Sequence, residues 1–123
     1  MKITVQTEVP FQRIADVMCG AIEGGSAYWC QDFIRESGPD LPNFYAEAAF
    51  YESGNYSIKV THDDPDGDDQ KTTIIGPTEV EAGVQLMATK FSSDFNDMMT
   101  EADDAITSDV LLQCIVLKDL VFG

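Results

Sequence analysis

From Val110 to Phe122 the chain reads VLLQCIVLKDLVF, a run apolar on nearly every side of a helix, which a protein of this size has to bury. The stretch before it, from Phe91, reads FSSDFNDMMTEADDA. At 3.6 residues per turn Asp94, Asp97, Glu101 and Asp104 share one narrow stripe, and Phe91, Phe95, Met98 and Ala102 share the next. Together these features imply a buried closing segment preceded by a helix whose acidic ridge faces outward. The rest of the 123 residues must be arranged around that segment, as one domain large enough to do without disulfide or metal staples.

Taken in order, Lys2 to Val9 alternates Ile3, Val5 and Thr7 against Lys2, Thr4 and Gln6, which predicts a first strand. Pro10 suits the first turn of a helix whose face is Phe11, Ile14, Ala15, Met18, Ala21 and Ile22, and Gly24-Gly25 ends it. The turn Gly24 to Cys30 holds the sole tryptophan, Trp29, beside Tyr28; it reads either as aromatic core over a helix stop or as an aromatic-walled pocket. Gln31 to Glu36 fits a strand or a short helix, and Ser37 to Pro42 is a loop. Asn55–His62 and Lys71–Ile75 predict two strands joined by the Asp63–Asp69 turn, where Pro65-Asp66-Gly67 is the turn signal. Thr78 with Glu81 reads as a capping box before a helix lined by Val80, Val84, Met87 and Phe91. Ser92 or Ser93 is a candidate cap for the acidic helix, Thr107 or Ser108 for the closing one, and Leu120–Phe122 for a last strand. The fold class expected is α+β: a small, largely antiparallel sheet of three to four strands against three to four helices.

Charge sets the functional bounds. The chain has 22 acids against 7 bases, and the acids are uneven: residues 1–62 hold 8 acids and 4 bases, residues 63–123 hold 14 and 3. Such a field repels nucleic acid and anionic membranes and attracts basic protein surfaces. Phe44, Tyr45, Phe50, Tyr51 and Tyr56 form an aromatic cluster, but stacking surfaces for nucleic acid interleave Lys and Arg, and residues 36–58 contain neither. That leaves core packing or a protein interface. No direct nucleic-acid binding and no membrane insertion are expected.

Catalytic and ligand signatures are sparse. Cys19, Cys30 and Cys114 form no C-x-x-C pair and read as reduced, packed thiols. A Cys–His pair would have to use His62, the only histidine, which reads as a strand-end surface residue. The aspartate-rich turn invites a calcium reading, but the twelfth position counted from Asp63 or Asp64 is Ile74 or Ile75 rather than glutamate. No glycine-rich phosphate loop is present. Neither enzymatic activity, nor a metal, nor a cofactor is expected.

Two blocks, Gly24–Trp29 and Asp103–Cys114, carry a resemblance. With the leading strand–helix pattern and final glycine, they resemble a group of small proteins of tailed bacteriophages and prophages. The resemblance implies a phage origin and a role facing the host, in its cytoplasm; it supplies no catalytic residue. Joined to the charge, it yields the expectation of an inhibitor that binds a basic surface of a host protein or ribonucleoprotein. The sharp form is an anti-CRISPR or anti-restriction protein that mimics nucleic acid. The residues expected to carry it are Asp94, Asp97, Glu101, Asp103 and Asp104, with Asp63, Asp64, Asp66, Asp68 and Asp69 as a second edge. The alternative is a non-enzymatic phage assembly accessory, a homodimer or larger homo-oligomer joined through the aromatic cluster at 44–56.

Overall fold

A computed structural model describes residues 1–123. The elements run α1 (Phe11–Gly20), β1 (Cys30–Ser37), α2 (Ala48–Glu52), β2 (Ser57–Asp63), β3 (Gln70–Ile75), α3 (Pro77–Lys90), α4 (Ser92–Met99) and α5 (Ala105–Val116). This is an α+β fold with one three-stranded antiparallel sheet in the order β1-β2-β3. Rows such as Phe33–Val60–Thr73 and Ile34–Lys59–Ile74 fix the register. Ile58, Val60, His62 and Ile75 are buried on one face, while Ile34, Lys59 and Ile74 stand in solvent on the other.

The apolar run Val110–Phe122 forms the centre only as far as Val116; beyond it Leu120 and Val121 are exposed. Every residue of α5 from Val110 to Val116 is buried, because α1, α3 and α4 all pack against it. Approach to α3 is close enough that a Cβ on Gly83 would meet the Ile115 backbone at 2.7 Å. After Val116 the chain leaves helix rather than closing as a strand. Residues 120–122 are instead held by Gln113, whose Oε1 accepts from Val121 N (2.8 Å) and Phe122 N (2.9 Å).

Several expectations are corrected. Lys2–Val9 forms no strand and pairs with nothing: none of the 69 backbone hydrogen bonds involves residues 1–9. Alternation encodes a strand-ready segment but not a partner for it. The acidic helix stops at Met99 because Glu101 takes a left-handed φ of 60° and Ala102 N returns to Asp97 O at 2.8 Å, a Schellman turn with glutamate where glycine is usual. Asp104, not Thr107 or Ser108, caps α5; Phe91 precedes α4 with no side-chain cap from Ser92 or Ser93. The start of α3 sits two residues early, at Gly76, whose N–H donates to Glu79 Oε1 at 2.7 Å without a side chain to complete a capping box, so Thr78 and Glu81 lie inside the helix.

His62 is core rather than surface. Its Nδ1 faces the Asp63 carbonyl at 2.7 Å, which can only accept, so Nδ1 carries the proton; Nε2 lies 2.8 Å from Thr73 Oγ1. The aromatic cluster is also mostly core: Phe50, Tyr51 and Tyr56 are buried, and Phe44 stacks on Phe33 from the sheet.

Candidate functional site

The acidic stripe divides into two groups. Asp94 and Asp97 sit three apart on α4, half-buried, and the Schellman turn swings Asp104 back towards them. Partial burial, and then the charges of Asp97 and Asp104, hold the Asp94 carboxyl above its ordinary range. Asp104 goes the other way: its Oδ1 accepts from Thr107 N (3.0 Å) and Thr107 Oγ1 (3.2 Å), which keeps its carboxyl below that range. Each of these three carboxylates lacks a Lys or Arg within 4.0 Å.

Glu101 and Asp103 are turned elsewhere. Arg13 on α1 reaches Glu101 Oε1 at 3.2 Å and Asp103 Oδ1 at 3.9 Å, and it also pairs with Asp16. One cation thus serves three acids beneath the α4–α5 turn. Arg13 is a residue the sequence pattern did not single out, because ion pairs between distant segments leave no local signature.

The Asp63–Asp69 segment is a hairpin tip. Asp64 Oδ1 accepts from Asp66 N at 2.9 Å and Asp64 N bonds back to Asp69 O at 2.9 Å, so local backbone groups shape the turn. Asp66, Asp68 and Asp69 project into solvent, whereas Asp63 accepts from Gln31 Nε2 at 3.0 Å at the base. No group of three or more His, Cys, Asp or Glu side chains in the molecule is placed to hold a metal ion.

The two sequence blocks meet on Asp109. Its Oδ1 accepts from Trp29 Nε1 (2.7 Å) and Ser26 Oγ (2.8 Å); its Oδ2 accepts from Tyr28 OH (2.5 Å) and Gln113 Nε2 (3.0 Å). Burial and the bond to Asp109 push the Tyr28 hydroxyl up to about 12. Trp29 is fully buried, stacked on Phe122 and edge-on to His62, so its indole is core packing, while Tyr28 beside it is exposed. Gly25 belongs to the same lock, since a Cβ there would meet the Ala105 carbonyl at 2.6 Å. Trp29 also joins the two acidic segments: its carbonyl accepts from Asp63 N at 2.8 Å while its indole donates to Asp109 on α5.

Cys30 and His62 are cross-strand partners, the one place where a thiol and an imidazole come together. They make no nucleophile–base contact. Both imidazole nitrogens are occupied as described, and burial followed by the Asp32 charge pushes the Cys30 thiol up to about 11. Comparison of the chain with family models, with curated proteins and with solved structures gives no significant match.

Proposed function

We propose that the protein is a phage-encoded inhibitor that binds a host nucleic-acid-handling defence complex, of anti-CRISPR or anti-restriction type, through an acidic surface standing in for phosphates. The observation that carries the reading is the α4–α5 corner, where Asp94, Asp97 and Asp104 crowd one another without a cation. Partial burial, and then the charges of Asp97 and Asp104, disfavour the ionised form of Asp94, and a Lys- and Arg-lined channel relieves that. Elsewhere the imbalance is as marked. Of the 22 acids, ion pairs engage Asp16, Asp40, Glu101, Asp103 and Asp119, leaving seventeen without a Lys or Arg within 4.0 Å. The exposed Asp66, Asp68 and Asp69 form the second edge. The setting is the cytoplasm of the bacterial host, and no helix here is long and apolar enough to cross a membrane. Of the aromatic cluster that the assembly-accessory alternative would use, Phe50, Tyr51 and Tyr56 are buried and Phe44 and Tyr45 are partly exposed.

The test is a tagged pull-down from host lysate at low salt, eluted by a salt gradient and competed with DNA or RNA. The expected result is a nucleic-acid-handling complex released at moderate salt and displaced by nucleic acid. Asp94→Lys with Asp97→Lys is the decisive variant. It leaves the Asp104 cap and the Arg13 pairs in place, so lost binding reports the surface rather than the fold. Unchanged recovery with this variant refutes the reading.

A further inference from the structure

Beside the unpaired Met1–Val9 segment lies a groove of about 1050 Å³. Thr4–Val9 forms one wall; Ile14, Tyr51, Tyr56, Val80, Val84 and Phe95 supply much of the remainder. The segment is built to be a strand, with Ile3, Val5 and Val9 on one face of the extended chain. Only Val9 packs on the core, whereas Ile3 and Val5 are 77% and 74% exposed. Its backbone N–H and C=O groups along the groove have no backbone partner. A strand-patterned segment without backbone partners and a partly apolar groove therefore lie side by side.

Charge narrows what fits. The charged residues lining the groove are Glu8, Glu52 and Glu81, all acidic. The occupant should be an extended, β-branched segment carrying a positive charge, and the segment Met1–Thr7 has that character: its single charged side chain is Lys2. Because this segment is already the wall of its own groove, it cannot also fill it.

We propose that two copies of the chain pair these segments reciprocally. Each lays Ile3 and Val5 against the other's groove, with Lys2 towards Glu52 or Glu81. The entering segment pairs with the resident one, so both gain the ladder that neither has alone. The contact is self-complementary about a two-fold axis, and strand addition to an open backbone edge supplies its hydrogen bonds. This inference is independent of the acidic-surface reading and uses other residues.

Sedimentation equilibrium on the full chain tests it, with far-UV circular dichroism and Trp29 emission as checks that each variant is folded. Wild type should show a species of twice the 13.5 kDa chain mass. Ile3→Asp with Val5→Asp, both at exposed positions, should be folded and monomeric. Lys2→Glu should weaken dimerisation on the order of tenfold by placing like charges at both grooves. A wild-type chain that stays monomeric overturns the proposal, as does a dimer indifferent to the double substitution. Disulfide trapping separates pairing between copies from self-occupancy. Mixed Val5→Cys and Gln85→Cys chains should cross-link to each other above the wild-type cysteine background. Closure instead within single chains that carry both substitutions assigns the groove to the chain's own segment and also overturns pairing between copies.

Discussion

Replacing Asp109 by alanine should remove a large part of the folding free energy, although the residue is itself only half-buried. Four donors lose an acceptor: Ser26 Oγ, Tyr28 OH, Trp29 Nε1 and Gln113 Nε2. Tyr28 is exposed and rehydrates, and Gln113 keeps its bond to the Phe122 carbonyl at 3.1 Å. Ser26 and Trp29 are buried, at 1% and 0% exposure, and find no water without opening the core. At about 1–3 kcal/mol for each buried donor left unpaired, and less for the other two, the loss comes to about 3–4 kcal/mol. Total stabilities are about 5–15 kcal/mol, so the variant should be folded but fragile. Asp109→Asn keeps an oxygen for Trp29 and Ser26 but turns an amide N–H₂ towards Gln113, and should cost about 1–2 kcal/mol. Urea unfolding followed by Trp29 emission is the assay, since the sole tryptophan sits in the lock. With a slope of about 1.5 kcal/mol per molar, the alanine variant's midpoint falls by about 2 M. Tyr28 supplies a second readout. Its folded pKa of about 12 lies above the ordinary 10.0, through burial first and the bond to Asp109 second, so the neutral hydroxyl contributes stability that is fully present below pH 10.0 and is lost as pH rises through about 12. In Asp109→Ala that alkaline loss should flatten and the tyrosine titration move down towards 10.0. A cost below about 1 kcal/mol for the alanine variant, or equal costs for the two variants, would refute the reasoning.

Other substitutions test other joints. Gly83→Ala should lower stability by about 2 kcal/mol despite alanine's better helix propensity, because α3 and α5 must part to admit the methyl group; a thermal melt reads it. Glu101→Gly should be more stable than Glu101→Ala by about 1 kcal/mol, since both lose the Arg13 pair and only alanine keeps the left-handed penalty. Asp94→Asn should stabilise the protein slightly at neutral pH, by about 0.5 kcal/mol or less. The Asp94 carboxyl is held above 3.8, so wild type regains this stability as pH falls through the raised value towards 3.8, and the asparagine variant should lack that gain in urea titrations at each pH.

Local periodicity carried much of the fold. The faces of α1 and α3, the β2–β3 hairpin at Pro65-Asp66-Gly67 and the burial of Val110–Val116 were all legible from spacing and turn chemistry. What was not legible depends on partners far along the chain. Lys2–Val9 has a strand's pattern, yet a strand exists only against another, and no spacing says whether one is present. The break at Thr100–Asp104 was hidden because a glutamate occupies the left-handed position that glycine usually announces. That break also re-sorted the candidate site, keeping Asp94, Asp97 and Asp104 together while giving Glu101 and Asp103 to Arg13. His62 looked superficial because burial of a polar ring depends on Thr73 and Trp29, neither of which is near it in sequence. Asp109 had no signal of its own. Its role comes from a turn some eighty residues earlier.

The position of α5 has a consequence for synthesis. The helix that fills the centre of the core follows α1, the sheet and α3 in the chain, so those elements are made before α5 is there to cover them. At about 5–20 residues per second, the interval from Lys90 to Phe122 lasts roughly 2–6 s. During that time Val60, Ile75, Val80 and Val84 are uncovered on a nascent chain. The segment emerging with them is the acidic one, and its charge repels neighbouring nascent chains and the phosphate-rich ribosome surface until the missing helix arrives. Neutralising those aspartates would then lower the yield of soluble protein in the cell more than the stability of protein already folded.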